Sequence, residues 1–108
     1  MLYLILAGLI SVTVSPRACF EPCNIRVTLK VEPAKDNERV VVEVYSTNLG
    51  YYHRSDMDYT NGQPKTIQIT YPGLPAGNYV VKGVLYKHDT KTWKAGEDVQ
   101  GLNVVRVE

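Results

Sequence analysis

The sequence predicts an all-β domain, an antiparallel sandwich of two sheets with about seven strands. Apolar and polar residues alternate in several short segments, which is the period of a strand with one buried face. Turn residues separate these segments at intervals of roughly 8 to 12 residues, and no segment after the N-terminus has a helical period. The length of 108 residues suits one such domain, which we place at residues 25–108.

The first segment, from Leu2 to Val14, is almost wholly apolar and carries no charge. A run of this length suits the apolar region of a secretory signal peptide, whereas a transmembrane helix needs roughly 20 residues. Pro16 and Arg17 end the run before that length is reached. We therefore predict a signal-like leader over residues 1–18, export to the periplasm or the extracellular space, and no stable transmembrane span.

An alternative interpretation assigns the end of this segment, "ISVTV", to a first strand. Ile10, Val12 and Val14 alternate there with Ser11 and Thr13, as one buried face of a strand requires. The two interpretations differ in whether these apolar side chains belong to the folded domain.

The two cysteines of the chain, Cys19 and Cys23, lie in a short linker that we place at residues 19–24. Two cysteines are too few for a structural zinc site, which uses four ligands. A disulfide between them requires the three intervening residues to turn, because an extended chain would hold the Cα atoms more than ~7 Å apart. We prefer this disulfide over free thiols, and free thiols over lipidation of Cys19.

From residue 25 onward, four segments show the alternation of a strand, and in each of them one apolar row is expected to face the core. The expected inward rows are Ile25, Val27, Leu29 and Val31; Val40, Val42 and Val44; Ile67, Ile69 and Tyr71; and Tyr79, Val81, Gly83 and Leu85. A last segment, residues 99–108, is rich in valine. Its apolar pattern changes phase between Leu102 and Val105, which predicts a β-bulge.

The stretch "LPAGNYVV", residues 74–81, joins a turn to the start of the fourth of these segments. Tyr79 follows the turn closely and resembles the tyrosine corner of Greek-key sandwiches, in which the hydroxyl bonds to a nearby backbone group. The whole stretch resembles the turn and penultimate strand of bacterial exported immunoglobulin-like and fibronectin type III-like domains. The resemblance implies their fold and an exported binding or spacer role, and it transfers no catalytic residue.

Charge and motifs argue against several classes of function. Twelve Lys and Arg against eleven Asp and Glu give a net charge of +1 without a block of like charges, so we expect no nucleic-acid partner. The sequence contains no "GxSxG" nucleophile turn and no glycine-rich phosphate loop. We therefore predict that the protein is not an enzyme and needs no cofactor.

Metal binding is not predicted either. The segment "SDMDYTNG", residues 55–62, departs from a calcium loop at three positions, so a solvated turn is preferred over a looser site at Asp56, Asp58 and Asn61. His88 and Asp89 are neighbours in a predicted loop, and neighbouring side chains of an extended chain point to opposite sides.

Aromatic and planar side chains concentrate in residues 48–59, a segment too polar to be mainly core. Such side chains dominate binding hot spots, and loops are where a sandwich presents them. The predicted binding residues are Tyr52, His53, Arg54, Tyr59 and, in the last hairpin, Trp93. In the alternative interpretation Tyr51 or Tyr52 fills the core on a third strand, and Trp93 covers a sheet edge.

We therefore expect a non-catalytic exported module that acts in protein binding or assembly at the cell envelope. A carbohydrate-binding module that uses the aromatic loop residues, and a structural spacer without a ligand, are the alternatives. A protein partner is preferred over a carbohydrate; coplanar rings of Tyr52, Tyr59 and Trp93 in a groove would favour a carbohydrate, and a flat apolar patch would favour a protein. The sequence does not indicate an oligomeric state.

Overall fold

The structure is a computed structural model, and it describes residues 10–32, 37–47, 50–58, 66–87 and 96–106. Within these ranges the chain forms eight β-strands and no helix. The strands are β1 (Ile10–Ser15), β2 (Ala18–Phe20), β3 (Cys23–Val31), β4 (Asn37–Ser46), β5 (Tyr52–Asp58), β6 (Thr66–Leu74), β7 (Gly77–Lys87) and β8 (Gly96–Val105). The predicted all-β class is confirmed.

The strands form two sheets, one of three strands in the order β1-β3-β6 and one of five in the order β2-β8-β7-β4-β5. All neighbouring strands are antiparallel except β2 and β8, which are parallel. The expectation of a purely antiparallel sandwich therefore needs this correction. The parallel pair arises because the chain leaves the first sheet after β1 and joins the second sheet at β2.

The core lies between the two sheets and consists of the inward rows of their strands. The four rows expected from the sequence do face inward, although Ile67 and Ile69 are only partly buried at the edge of the three-stranded sheet. The buried apolar side chains come from six strands: Ile10, Val12, Val14, Cys23, Ile25, Val27, Leu29, Val31, Val40, Val42, Val44, Tyr71, Leu74, Tyr79, Val81, Leu85, Leu102 and Val104. Strand alternation therefore places most of the core directly from sequence.

The N-terminal segment belongs to the sandwich from Ile10 onward, as in the strand interpretation of "ISVTV". Strand β1 pairs with β3 along its whole length and buries three side chains, of which Val12 is 4% exposed. The backbone N–H of Val12 donates to Asp98 Oδ2 of β8 at 2.7 Å. The boundaries expected at residues 1–18, 19–24 and 25–108 thus differ from the described fold, which includes residues 10–24, while residues 1–9 lie outside the described part.

Close contact between the sheets occurs beside Gly83 of β7. A Cβ added there would lie 2.7 Å from Val12 Cγ2 and 2.8 Å from Leu29 Cδ2. These distances are well inside van der Waals contact. The absence of a side chain at this position therefore lets β1 and β3 pack onto the five-stranded sheet.

Strand β8 carries no bulge, which corrects the expectation from its change of phase. Its pairing with β7 is continuous from Gly96 to Val104. Leu102 and Val104 face inward, whereas Val105 is 42% exposed and pairs with Phe20 of β2. Val104 and Val105 are both apolar although they point to opposite faces, because Val105 lies on the outer face beside Phe20.

Two local features lie at the same end of the sandwich. Cys19 and Cys23 form a disulfide with a Cα–Cα distance of 6.1 Å across the turn at residues 21–22. Tyr79 is 2% exposed, and its hydroxyl donates to the backbone carbonyl of Pro75, four residues upstream. This is the geometry of a tyrosine corner.

Among the described residues, no helix is long and apolar enough to cross a membrane.

Candidate functional site

The predicted binding residues Tyr52, His53 and Arg54 lie on strand β5, not on a loop. This strand is at the edge of the five-stranded sheet and pairs with β4 from Tyr52 to Asp58. The polar composition that suggested a loop is that of an edge strand with little buried surface. Tyr59 and Trp93 lie outside the described residues, so their part of the prediction is untested.

The outer face of β4 and β5 is formed by residues that directly oppose one another. Tyr52 opposes Tyr45, Arg54 opposes Glu43, and Asp56 opposes Val41. We call Tyr45, Glu43, Tyr52, Arg54 and Asp56 the β4–β5 face. Side chains in such pairs lie about 5 Å apart at their Cβ atoms, close enough to bond across the strands.

Two of the exposed side chains in the β4–β5 face are held in place by neighbours. Tyr52 is 56% exposed, and its hydroxyl donates to Glu43 Oε2 at 2.6 Å. Arg54 donates through Nε to Asp56 Oδ1 at 2.7 Å and through Nη2 to Asp56 Oδ2 at 3.2 Å. A tyrosine and an arginine are thus presented to solvent in defined orientations by a rigid sheet.

These contacts shift the pKa values of the groups involved. The hydrogen bond to Glu43, followed by partial desolvation, raises the pKa of the Tyr52 hydroxyl. The hydrogen bond from Arg54 lowers the pKa of the Asp56 carboxyl, and the same bond raises the pKa of the Arg54 guanidinium. At neutral pH the face therefore carries a neutral tyrosine hydroxyl beside an ionised Arg54–Asp56 pair.

His53 lies on the opposite side of β5 from Tyr52 and Arg54. Its ring meets the ring of Tyr71 of β6 edge to face, with centroids 5.1 Å apart. The hydroxyl of Tyr71 is 3.1 Å from Ser55 Oγ, the next residue on that side of β5. His53 is exposed but belongs to the contact between the two sheets, so the structure does not bring it together with the other two predicted residues.

Sequence reasoning did not identify Tyr45 and Glu43 as part of this face. Both lie on β4, where the sequence shows them as the polar alternation of a core strand. Their role follows from the register between β4 and β5, in which they stand opposite Tyr52 and Arg54. No local signal in the sequence gives that register.

The described residues contain no group of three or more His, Cys, Asp or Glu side chains placed to hold a metal ion. Asp56 and Asp58, named in the looser calcium hypothesis, lie on strand β5 instead of in a turn. The carboxylate of Asp56 is already bound by Arg54. The solvated turn expected for the start of that segment is therefore a strand, and Asn61 lies outside the described residues.

No family model matches the sequence, and no curated protein matches it either. Solved structures do resemble the fold. A superoxide reductase from Ignicoccus hospitalis has a TM-score of 0.66 at 11% identity, over 89% of this chain and 80% of that one. The CARDB domain of a Pyrococcus furiosus protein, solved with di-metal ions, has a TM-score of 0.58 at 10% identity, over 92% of each chain.

The reeler domain of human F-spondin is also similar, with a TM-score of 0.58 at 13% identity over 90% of this chain and 89% of that one. At such identities the likeness shows the fold alone. One of these structures is named as an enzyme and the others as domains without a named activity, so the likeness does not indicate an activity for this chain. Together with the strand order, these structures show that the chain has the fold of a small β-sandwich domain.

Proposed function

We propose that this protein is a non-catalytic binding module that is exported to the cell envelope and contacts a protein partner through the β4–β5 face. The observation that carries the proposal is the fixed orientation of Tyr52 and Arg54, held by Glu43 and Asp56. Tyrosine and arginine are the side chains most enriched in binding hot spots, together with tryptophan. Side chains that are already ordered lose less conformational entropy when a partner binds.

The position of β5 supports the same proposal. An edge strand has one row of backbone N–H and C=O groups that its own sheet does not use. In the described part of the chain, β5 pairs with β4 alone. A partner segment can therefore contact the side chains of the β4–β5 face and the backbone of the same strand, which is a recurring mode of peptide recognition.

Export rests on the apolar N-terminal segment and gains support from the disulfide. Disulfides persist mainly in oxidising compartments such as the periplasm and the extracellular space. The bond between Cys19 and Cys23 joins β2 to β3, and therefore one sheet to the other.

Site-specific crosslinking tests the binding proposal. A photoreactive amino acid would replace Tyr52 in one variant and Thr28, on the outer face of the other sheet, in a matched control. We expect irradiation in intact cells to join a defined protein to position 52 and not to position 28, and Arg54→Ala to weaken that product. Equal products at both positions, or none at position 52, would contradict the proposal.

A second measurement separates protein from carbohydrate. The parent and Tyr52→Ala would be compared for retention on insoluble polysaccharides, with circular dichroism to show that both are folded. Retention that depends on Tyr52, without a protein crosslink, would replace the proposed partner by a carbohydrate. Absence of both would favour a structural spacer.

A further inference from the structure

The outer face of the three-stranded sheet is rich in hydroxyl groups and carries two cations, Arg26 and Lys30. The outward residues of its strands are Ser11, Thr13 and Ser15 of β1; Asn24, Arg26, Thr28 and Lys30 of β3; and Thr66, Gln68 and Thr70 of β6. None of these strand residues is an acid. Arg26 and Lys30 take part in no ion pair within the described ranges.

One row of this face forms a concave site. Ser15, Arg26 and Thr70 stand directly opposite one another across β1, β3 and β6. Together with Asn24 and Ile25 they line an open pocket of about 270 Å³. Pockets for drug-sized molecules are usually about 300 Å³ or larger, so this one suits a small group.

The lining of the pocket is dominated by hydrogen-bond donors. Asn24 Oδ1 accepts a bond from the backbone N–H of Gly73 at 2.9 Å, which leaves its side-chain NH₂ group to donate elsewhere. Arg26 provides a charged fork of N–H groups, and Ser15 and Thr70 each add a hydroxyl. No carboxylate lines the pocket.

The nearest acids along the chain do not neutralise Arg26. Glu32 follows β3 and lies six residues beyond Arg26, about 20 Å along an extended strand. Glu21 accepts a bond from the backbone N–H of Ala76 at 3.1 Å. Among the described residues, the site therefore combines a guanidinium without an ion-pair partner, neutral donors and no competing carboxylate.

We infer that this pocket, the Arg26 site, binds a small oxyanion group: a carboxylate, sulfate or phosphate. The planar fork of arginine matches two oxygens of such a group, and hydroxyl and amide donors satisfy the others. The surroundings do not suit larger partners. No aromatic side chain on the described part of this face could stack on a base, and none of the large apolar side chains exposed in the described ranges lies on this face to anchor a protein. The site is independent of the β4–β5 face.

Nuclear magnetic resonance titrations of the full chain with sodium sulfate, inorganic phosphate and sodium acetate test the inference. Ionic strength would be held constant with sodium chloride, so that general screening does not imitate binding. We expect saturable shifts of the amide signals of Asn24, Arg26 and Thr70 with at least one oxyanion, and the order of the three affinities identifies the preferred group. Shifts that do not saturate, or that chloride alone produces, would overturn the inference.

Substitutions at two positions of the same strand supply the matched control. Arg26→Gln should weaken the oxyanion at least about tenfold, and Arg26→Lys should weaken it less because the charge remains while the fork is lost. Lys30→Gln removes an equal charge four residues along the same face, about 13 Å away, and should leave the affinity nearly unchanged. Equal effects of Arg26→Gln and Lys30→Gln would show a diffuse charge effect and would also overturn the inference.

Discussion

Strands β1 and β5 are both edge strands, and the sequence assigned both of them to something else. Strand β1 alternates buried and exposed residues along its whole length, and it contributes Ile10, Val12 and Val14 to the core. Strand β5 has no fully buried residue, although Met57 packs partly against the core and His53 contacts the ring of Tyr71. The two edges are therefore held differently: β1 by a full row of buried side chains, and β5 mainly by its pairing with β4.

The free edges of these two strands also differ. The backbone of β1 is bound from the other sheet, because Asp98 accepts the N–H of Val12. Strand β5 has charged residues at Arg54, Asp56 and Asp58, which is a common way to keep an exposed edge from pairing with the wrong chain. The comparison assigns a structural role to β1, whereas β5 is the edge at which we propose that a partner binds.

Removal of β1 should have the largest effect. A variant that lacks residues 1–16 loses three buried side chains, each worth about 1.5–3 kcal/mol on burial, which together approach the whole stability of a small domain. We expect it to lose cooperative unfolding in urea, followed by circular dichroism. The control, Ser11→Ala with Thr13→Ala, changes only outward positions and should unfold like the parent.

A second measurement, on the native protein, addresses the predicted leader. Mass spectrometry of protein from the native host gives the first residue of the mature chain. If that chain starts near Ala18 to Phe20 and is as stable as the full chain, β1 is dispensable and the leader prediction holds. If the mature chain keeps Ile10–Ser15, the strand interpretation holds.

Gly83→Ala should be the next most damaging change, because it disturbs the position of β1 without removing it. The added Cβ would meet Val12 and Leu29 at less than 3 Å. Overpacking of this kind costs about 1–3 kcal/mol of unfolding free energy. Gly101→Ala is the matched control, since nothing lies within 4 Å of a Cβ at that position. Equal urea midpoints for the two variants would contradict the close packing of the sheets at Gly83.

Tyr79→Phe should cost roughly 1 kcal/mol, the usual contribution of one hydrogen bond, with the fold retained. The lost bond is that from the Tyr79 hydroxyl to Pro75. The ring also contacts Tyr51 edge to face at 5.5 Å, immediately before β5, so the substitution separates the hydroxyl from the ring packing. Tyr45→Phe, on the outer face, is the control and should change the thermal midpoint little. A Tyr79→Phe variant that melts like the parent would show that the hydrogen bond of the corner does not stabilise the fold.

The smallest effect is expected at the Arg54–Asp56 pair of β5. The folded-state pKa of Asp56 is lowered by Arg54, so its contribution to stability is present above the unfolded pKa and is lost as the pH falls through the folded pKa. Arg54→Gln should therefore raise the pKa of Asp56 in a carboxyl titration by nuclear magnetic resonance. Its small cost in stability near neutral pH should vanish once the pH lies below the folded-state pKa of Asp56, where the carboxyl is protonated in both states. A cost that persists at low pH would assign a packing role to Arg54.

The charges of the two sheets repeat this contrast on a larger scale. On the outer face of the five-stranded sheet, Arg54 pairs with Asp56, and Lys82 lies 3.3 Å from Glu97. On the three-stranded sheet Arg26 and Lys30 have no such partner in the described ranges. The net charge of +1 therefore hides an uneven distribution among the described residues, and the argument from net charge, which speaks against a polyanion, does not bear on a small oxyanion at one face.

The sequence by itself determined the class of fold and most of the core, because the period of two in a strand is a local property of the chain. The rows at residues 25–31, 40–44 and 79–85 are inward as predicted, and Tyr79 was found from its place after a turn. Residue type alone also selected Tyr52 and Arg54 as exposed candidates.

Only the tertiary structure decided where the two edge strands belong and which side chains share a face. An apolar run such as residues 2–14 satisfies the pattern of both a leader and a buried strand, and only the structure shows that its last residues, from Ile10 onward, pair with β3. The opposition of Glu43 to Arg54, and of Ser15 and Thr70 to Arg26, depends on the register between strands that are distant in sequence. Pairing is a non-local property, so neither the β4–β5 face nor the Arg26 site could be predicted from any one segment.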